Sequence, residues 1–282
     1  MKLRITKKDS ALVLIASILL LAAVVVGRSL LGEAILIILP VLSAILMLAA
    51  LLEVYRRLDK EHRKQERALE QYYRQIESLF SLFFTLKPSL PLPNTRDWAA
   101  APDLLKKITE VILIEKPDLV LEASSGISTL VIAYCLKKLG KGKVFSLEHD
   151  AKFAAISQSL ILLHGLEDIS TIVHAPLKEV EINGQKWLWY NTDCLRIDQP
   201  IDLLFVDGPP RKIQKLSRYP ALPLLYRHLN KRSTIILDDG IREDEKKIVA
   251  RWKEEFSHIS SEFLDTEKGT YVIHKNDQAE SA

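Results

Sequence analysis

The chain has 282 residues, 48% of them hydrophobic, and its 39 basic and 36 acidic residues give a formal net charge of +3. This charge balance gives no support to nucleic-acid binding. The two cysteines, Cys135 and Cys194, form no CxxC motif, which argues against a disulfide framework or a zinc site. The apolar excess lies between Ala11 and Leu52, where all but eight of the 42 residues are apolar. We therefore expect a short membrane module joined to one globular domain of ordinary size.

Two apolar runs predict a hairpin of two transmembrane helices over residues 11–52. The runs extend from Ala11 to Val26 and from Leu30 to Leu52, close to the ~20 residues that a bilayer core requires. The short link Gly27-Arg28-Ser29 is expected to form the turn. Basic residues flank the pair on both sides, which predicts a cytoplasmic-membrane protein with both ends, including the basic N-terminus 1–10, in the cytoplasm. These residues are Lys2, Arg4, Lys7, Lys8, Arg56, Arg57, Lys60, Arg63 and Lys64. A cleaved signal peptide is the alternative, and the second apolar run argues against it.

Residues 53–86 are predicted to form a helical stalk. Apolar or aromatic residues recur at alternating steps of four and three, which is the spacing of a heptad seam. The seam consists of Leu58, His62, Gln65, Leu69, Tyr72, Ile76, Leu79 and Phe83. A coiled coil here would make the chain a homodimer, whereas an amphipathic helix lying on the soluble domain or on the bilayer is the alternative, and the sequence leaves both open. The proline-rich segment 87–95 ends the helix and is interpreted as a linker.

Residues 96–275 alternate between strand and helix patterns, followed by a tail at 276–282. Near-continuous apolar strands separated by helices predict an α/β domain with a parallel sheet covered on both faces. Asn183-Gly184, flanked by alternating residues, predicts an inserted hairpin. The predicted strands are Asp118–Ala123, Lys143–Glu148, Ser170–Ala175, Ile201–Asp207 and Thr234–Asp238, and the predicted helices are Pro102–Glu115, Ser128–Leu139, Ala151–His164, Ala221–Leu229 and Glu243–Phe256.

Four of the five predicted strands end in an acidic residue, namely Glu122, Glu148, Asp207 and Asp238. In an open α/β sheet, ligands bind at the carboxyl ends of the strands, so these acids are expected to converge on one site. Glu148 follows Glu122 by about 26 residues, where a carboxylate can bind the two hydroxyls of an adenosine ribose. The intervening loop lacks the three glycines of GxGxxG, which counts against a dinucleotide.

Several motifs together resemble class I S-adenosylmethionine-dependent methyltransferases, and more closely the bacterial subgroup related to catechol-type and macrocin-type O-methyltransferases. The resemblance covers roughly Trp98 to His274 and implies a Rossmann-like sheet with helices on both faces. The motifs are Glu122-Ala-Ser-Ser-Gly126-Ile-Ser128-Thr129, Ser146-Leu-Glu148-His-Asp150, Ile201-Asp-Leu-Leu-Phe-Val-Asp207-Gly-Pro-Pro210, Leu237-Asp238-Asp239, Arg218-Tyr-Pro-Ala-Leu-Pro223 and Trp98-Ala-Ala-Ala-Pro102.

The resemblance implies a binding site for S-adenosylmethionine. Glu122 would approach the methionine amino group, Ser128 would hold its carboxylate, and Glu148 would bind the ribose. The implied cofactor-binding residues are Glu122, Ser124, Gly126, Ser128, Glu148, His149, Ala175 and Asp207, with His149 and Ala175 beside the adenine and Asp207 beside the transferred methyl group. Ser124 departs from the family, because it stands where the motif usually has its first glycine, and its Cβ would narrow the approach of the backbone to the cofactor.

Catalysis is expected to rest on Asp207 as base or metal ligand, with Asp239 second. The resemblance also implies a magnesium site formed by Asp207, Asp238 and Asp239, although Asp239 replaces the usual asparagine. A helix cap before the segment that begins at Ile241 is the alternative role for Asp238 and Asp239.

The acceptor side is predicted beyond the fourth strand. Arg211, Arg218 and Tyr219, with Lys212, could hold an anionic sugar or phosphate, and a solvated basic loop is the alternative. The hairpin aromatics Trp187, Trp189 and Tyr190 are expected either to cover the site or to pack as a buried face.

We therefore expect a membrane-anchored, S-adenosylmethionine-dependent O-methyltransferase that acts on a small molecule or on a saccharide or lipid-linked precursor at the cytoplasmic face. The alternatives are a non-catalytic scaffold that keeps this fold, and a nucleotide-dependent dehydrogenase or epimerase, which the missing glycines disfavour.

Overall fold

The computed structural model describes residues 7–95, 99–193, 195 and 198–276. Four features predicted from the sequence lie wholly or partly outside these residues: the start of the basic N-terminus, Trp98 of the Trp98–Pro102 motif, Cys194, and all of the tail beyond Asn276. The chain divides into two compact units, one ending at Glu70 and one beginning at Gln71.

The first unit is helical. Helix α1 covers Lys7–Leu31, a short 3-10 turn covers Gly32–Ala34, and helix α2 begins at Ile35 and runs on to Leu86. The turn predicted at Gly27–Ser29 is wrong, because α1 continues through it and ends where Gly32 takes a φ of +59°. A left-handed residue that ends a helix is usually glycine, whereas a single glycine inside a helix costs only about 1 kcal/mol.

Among the described residues, one helix is long and apolar enough to cross a membrane, and it spans Ile37–Leu86. Helix α1 contains a shorter apolar stretch, Ile15–Gly27. The second spanning helix of the predicted hairpin therefore stays a prediction.

The last four turns of α2 belong to the second unit and pack against its core. Ser78, Leu82 and Leu86 are buried, and both leucines join an apolar cluster with α3 and α4. The neighbouring face carries the predicted heptad seam, of which Tyr72 and Ile76 are exposed. The helix therefore packs on the domain along a line adjacent to the seam, and the coiled coil stays a prediction.

The second unit contains a mixed α/β sheet. Within the described residues the strand order is β3-β2-β1-β6-β7-β9-β8, with β1, β2, β3, β6 and β7 parallel and β9 antiparallel to both of its neighbours. Strands β4 and β5 form a separate antiparallel hairpin. The strands are β1 Leu119–Ala123, β2 Lys143–Glu148, β3 Ser170–His174, β4 Leu177–Ile182, β5 Gln185–Tyr190, β6 Ile201–Val206, β7 Leu229–Leu237, β8 Ile259–Leu264 and β9 Thr270–Lys275.

Helices cover both faces of this sheet. Because successive strand residues point to opposite faces, Val120 joins the cluster with α3 and α4, whereas Leu119 and Leu121 join the cluster with α6, α7 and the hairpin. The helices are α3 Pro102–Glu115, α4 Ile127–Leu139, α5 Ala151–Leu163, α6 Ala221–Leu225 and α7 Glu243–Glu255. The predicted Rossmann-like α/β architecture is thus confirmed for this part of the chain.

Helix α6 is shorter than the predicted Ala221–Leu229. A 3-10 turn follows at Tyr226–His228, and Leu229 already pairs with Ile201 as the first residue of β7. Pairing with the sheet therefore overrides the helical pattern at this boundary.

Candidate active site

The predicted acids lie at the carboxyl ends of four adjacent strands. Glu122 and Glu148 lie at the ends of β1 and β2, while Asp207 and Asp238 directly follow β6 and β7. The chain changes direction across the sheet between β1 and β6, which is the switch point where open α/β sheets bind ligands.

Glu122 is fully buried and its carboxylate accepts hydrogen bonds from several hydroxyl groups. Ser128 Oγ lies 2.5 Å from Oε1, while Thr129 Oγ1 and Ser146 Oγ lie 2.6 and 2.5 Å from Oε2. Burial raises the pKa of Glu122, and these hydrogen bonds oppose the rise. Glu122 therefore ties β1, β2 and the start of α4 together, and its predicted contact with the methionine amino group would compete with these donors.

The loop between Glu122 and α4 has a glycine-like backbone. Gly126 has a φ of +135° and Ser124 a φ of +157°, which L-residues with a side chain rarely adopt. The N–H of Gly126 donates to Thr129 Oγ1 at 3.1 Å, which fixes the start of α4. Serine at the family's glycine position thus keeps the loop conformation that glycine would allow.

Glu148 is 7% exposed and is held by the same loop. Its carboxylate accepts from Ser125 Oγ at 3.0 Å and from the N–H of Asp150 at 3.0 Å. His149 Nδ1 lies 2.9 Å from Glu148 Oε1, and the N–H of Ala175 donates to the backbone carbonyl of Glu148 at 2.7 Å. The structure therefore brings together the three residues predicted around the adenosine.

Asp207 is paired with a buried arginine. Nη2 of Arg218, which is 3% exposed, lies 3.0 Å from Asp207 Oδ1 and 2.5 Å from Asp239 Oδ2. Arg218 also donates to the backbone carbonyls of Asp207 and Asp238. Burial raises the pKa of Asp207 to about 6, while Arg218 acts in the opposite direction.

The three aspartates predicted as metal ligands lie together, but they do not fit a magnesium ion as they are arranged. Ligand oxygens of Asp207, Asp238 and Asp239 lie within 4.8 Å of one another, and the two carboxylate oxygens of Asp238 are buried without a hydrogen-bond partner. However, Arg218 lies between Asp207 and Asp239, and Arg242 Nη1 lies 2.6 Å from the same Asp239 oxygen. A divalent cation bound there would have to displace a buried guanidinium.

Burial and the neighbouring Asp207 and Asp239 raise the pKa of Asp238 to about 8. The charge of Arg218 acts in the opposite direction, but burial prevails and favours the neutral carboxyl group. The alternative role as a helix cap is not seen either, because the residue preceding α7 is Arg242 and no side chain caps that helix.

A cavity of about 410 Å³ opens beside Asp207. Arg211 and Arg218 line it, whereas Tyr219 is not among its lining residues. Tyr219 is buried, and its hydroxyl donates to the carboxylate of Glu255 at 2.8 Å. The structure thus separates the three residues predicted for the acceptor: Arg211 is exposed at the cavity, Arg218 organises the acids, and Tyr219 belongs to the core. The complete lining is Asp207, Pro210, Arg211, Lys212, Arg218, Asp239, Arg242 and Lys268.

The hairpin aromatics form a packed face. Trp187, Trp189 and Tyr190 are all buried, and the Trp187 ring lies 4.7 Å from that of Tyr219. Tyr190 lies closest to the acids: burial together with the charges of Glu148 and Asp207 raises its pKa well above its usual value.

Two residues that contact Arg218 or Asp239, namely Glu245 and Arg242, could not be predicted from the sequence pattern. Glu245 is 1% exposed and lies 3.5 Å from Arg218 Nη1, and Arg242 bridges Asp239 and Glu245. Glu245 lies in the first turn of α7, where acidic residues are common at the surface. Only its contact with the distant Arg218 distinguishes it.

Comparison with known proteins gives a consistent result. Residues 123–240 match the family model described as a methyltransferase domain. The structure resembles the S-adenosylhomocysteine-bound methyltransferase PaMTH1 of Podospora anserina at 15% identity and a TM-score of 0.55, over 76% of this chain and 96% of that one. It also resembles an S-adenosylhomocysteine-bound O-methyltransferase of Bacillus cereus at 18% identity and 0.51, over 74% and 97%, and TomG of Streptomyces achromogenes, an O-methyltransferase involved in tomaymycin synthesis, at 14% and 0.50, over 73% and 99%.

No curated protein matches the chain in sequence. The solved structures establish the fold, and residues 123–240 match a methyltransferase domain in sequence. Both findings support an S-adenosylmethionine-dependent methyltransferase.

Proposed function

We propose that the chain is a membrane-anchored O-methyltransferase that methylates a hydroxyl group of a small molecule, a saccharide or a lipid-linked precursor at the cytoplasmic face. The observation that carries this proposal is the placement of Asp207 at the sheet switch point, between the strand ends of the predicted cofactor site and an open cavity. A base beside a cavity suits deprotonation of an acceptor bound there.

The reaction is an in-line displacement. The acceptor oxygen attacks the sulfonium methyl carbon as the bond between that carbon and sulfur breaks, and S-adenosylhomocysteine leaves. Asp207 takes the proton of the acceptor hydroxyl, because with a pKa of about 6 its carboxylate is mostly deprotonated at neutral pH. Arg218 is a positioning residue that holds this carboxylate at the cavity wall.

Asp239 is a weaker candidate for the base than the sequence suggests. The same carboxylate oxygen accepts from both Arg218 and Arg242, and an acceptor hydroxyl would have to displace one of these two guanidinium groups. Asp207 is therefore the preferred base.

The proposed anchor is a two-helix hairpin. The apolar start of α2 supports it, because its most apolar window has no residue buried within the protein. Basic residues after this stretch, such as Arg56 and Arg57, favour a cytoplasmic position for the catalytic domain. The proposal includes pairing of two stalks, because the seam residues Tyr72 and Ile76 are exposed.

The proposal predicts that Glu148 is needed to bind the cofactor. Replacing Glu148 by Gln removes the charge that would bind the ribose hydroxyls, so we expect S-adenosylhomocysteine to bind at least tenfold more weakly. Isothermal titration calorimetry of the full chain in phosphatidylcholine nanodiscs measures this.

The exposed Glu262 gives a matched control, and Glu262→Gln should leave the affinity unchanged. Unchanged affinity in Glu148→Gln would remove Glu148 from the site. Wild-type chain that binds NAD instead of S-adenosylhomocysteine would favour a dehydrogenase, and chain that binds neither would favour a scaffold.

A further inference from the structure

The cavity beside Asp207 has a strongly basic lining. Its basic residues are Arg211, Lys212, Arg218, Arg242 and Lys268, whereas Asp207 and Asp239 are its acidic ones. Including Glu245 and Asp238, which pack behind this wall, still leaves the basic groups in the majority. A small cavity with this imbalance favours an anionic occupant.

The two acidic side chains of the lining are paired with arginines of the same lining. Asp207 and Asp239 both accept from Arg218, and Asp239 also accepts from Arg242. Arg218 is thereby committed to the protein itself. The other basic residues of the lining, besides Arg242, are Arg211 and Lys212 on the loop after β6 and Lys268 on the loop between β8 and β9.

Lys268 lines the cavity, and its charge also acts on Asp207, the proposed base. Its Nζ donates to the backbone carbonyl of Ala99 at 2.9 Å, and its charge lowers the pKa of Asp207. Lys268 and Asp207 both line this cavity, so an anion that contacts Lys268 inside it shares the cavity with the proposed base.

These observations deepen the proposed function and rest on it. We propose that the methyl acceptor carries a phosphate group beside the hydroxyl that is methylated, and that Arg211, Lys212 and Lys268 bind this phosphate. Several basic side chains around one cavity match a group with two negative charges better than a single carboxylate, and a guanidinium can contact two phosphate oxygens at once. A volume of about 410 Å³ accommodates a phosphorylated compound of small-molecule size.

Inorganic phosphate is the probe for this site. The full chain in phosphatidylcholine nanodiscs, saturated with S-adenosylhomocysteine, is titrated with phosphate by calorimetry. We expect binding that Arg211→Gln and Lys212→Gln each weaken at least tenfold, because each removes a charge-assisted contact. Both residues are exposed, so neither substitution should disturb folding. Lys215→Gln, an exposed position on the same loop that does not line the cavity, should bind phosphate like the wild-type chain.

Phosphate binding that is absent, or equally strong in the two cavity variants and the wild-type chain, would overturn the inference. If S-adenosylhomocysteine binds in those same samples, the proposed function stands while this inference fails; if it does not bind, the proposed function itself fails. Nanodiscs containing phosphatidic acid then identify the source of the phosphate. A lipid-headgroup acceptor predicts that they weaken the binding of free phosphate, and a soluble acceptor predicts no change.

Discussion

Ser124 shows how a single side chain can limit a binding loop. Its φ of +157° is costly for a residue with a Cβ, on the order of 1–3 kcal/mol. Its hydroxyl gives little in return, because it lies 3.3 Å from Glu122 Oε1, a carboxylate that has three closer donors. The loop conformation is therefore kept under strain.

We predict that Ser124→Gly binds S-adenosylhomocysteine several-fold more tightly than the wild-type chain, because glycine adopts this φ freely and opens the approach to the backbone. Calorimetry measures the change. Ser124→Ala removes the hydroxyl but keeps the Cβ, so it should show no gain. Equal gains in the two variants would assign the effect to the hydroxyl instead of the backbone.

The sequence predicts individual site residues only where local pattern determines their position. Glu148 and Asp207 could be located because each ends an apolar strand, and parallel strand ends share one edge of the sheet. Arg218 is predicted on the acceptor side because it lies with Arg211 and Tyr219 just beyond the fourth predicted strand. Its true partners, Asp239 and Glu245, lie 21 and 27 residues further along the chain, and only the folded loops bring them together.

At the scale of elements, a buried histidine connects two helices on one face of the sheet. His164 follows α5 and is 4% exposed, and its Nδ1 lies 2.7 Å from the hydroxyl of Tyr134 on α4. Its Nε2 is buried without a hydrogen-bond partner. Burial lowers the pKa of His164 below its usual 6.5.

This arrangement predicts a dependence of stability on pH. Because the folded state favours the neutral imidazole, the stabilisation is complete above pH 6.5 and is lost as the pH falls through the lower pKa of the folded state. The thermal midpoint should therefore fall between pH 7 and pH 5, and it should fall less in His164→Asn. Tryptophan fluorescence reports on the domain, since all four tryptophans follow residue 97. His62→Asn, at an exposed histidine, should behave like the wild-type chain; the same pH dependence in His164→Asn would contradict the account.

Elements were predicted well where periodicity and burial agree, as in β1 and α4. Boundaries shifted where two local signals compete. Gly27 and Gly32 both break an apolar run, and the turn forms at the one that adopts a positive φ. At Leu229, pairing with Ile201 ends the helical pattern early. Heptad spacing at the end of α2 predicted a seam but could not reveal that Leu82 and Leu86 pack on the domain along an adjacent line.

At the scale of the whole molecule, the apolar content is placed in two different ways. In the first unit it lies on exposed helix surfaces, such as Ile45 and Leu46, where a bilayer would provide the apolar surroundings. In the second unit it lies in two clusters on the two faces of the sheet. The alternation of strand and helix patterns predicted the fold of the second unit. Composition could not predict what the stalk packs against, because that depends on contacts between residues far apart in the sequence.

The central claim is that this chain transfers a methyl group with Asp207 as the base. The most direct measurement follows the radiolabelled methyl group of S-adenosylmethionine into a deproteinised cell extract, with the full chain in nanodiscs as catalyst. We predict transfer by the wild-type chain, a loss of about 100-fold or more in Asp207→Asn, and retention of S-adenosylhomocysteine binding in that variant. Asp265→Asn, at an exposed carboxylate, should transfer normally. Transfer by Asp207→Asn at the wild-type rate would contradict the assignment of the base, and a wild-type chain that binds no S-adenosylhomocysteine would contradict the claim as a whole.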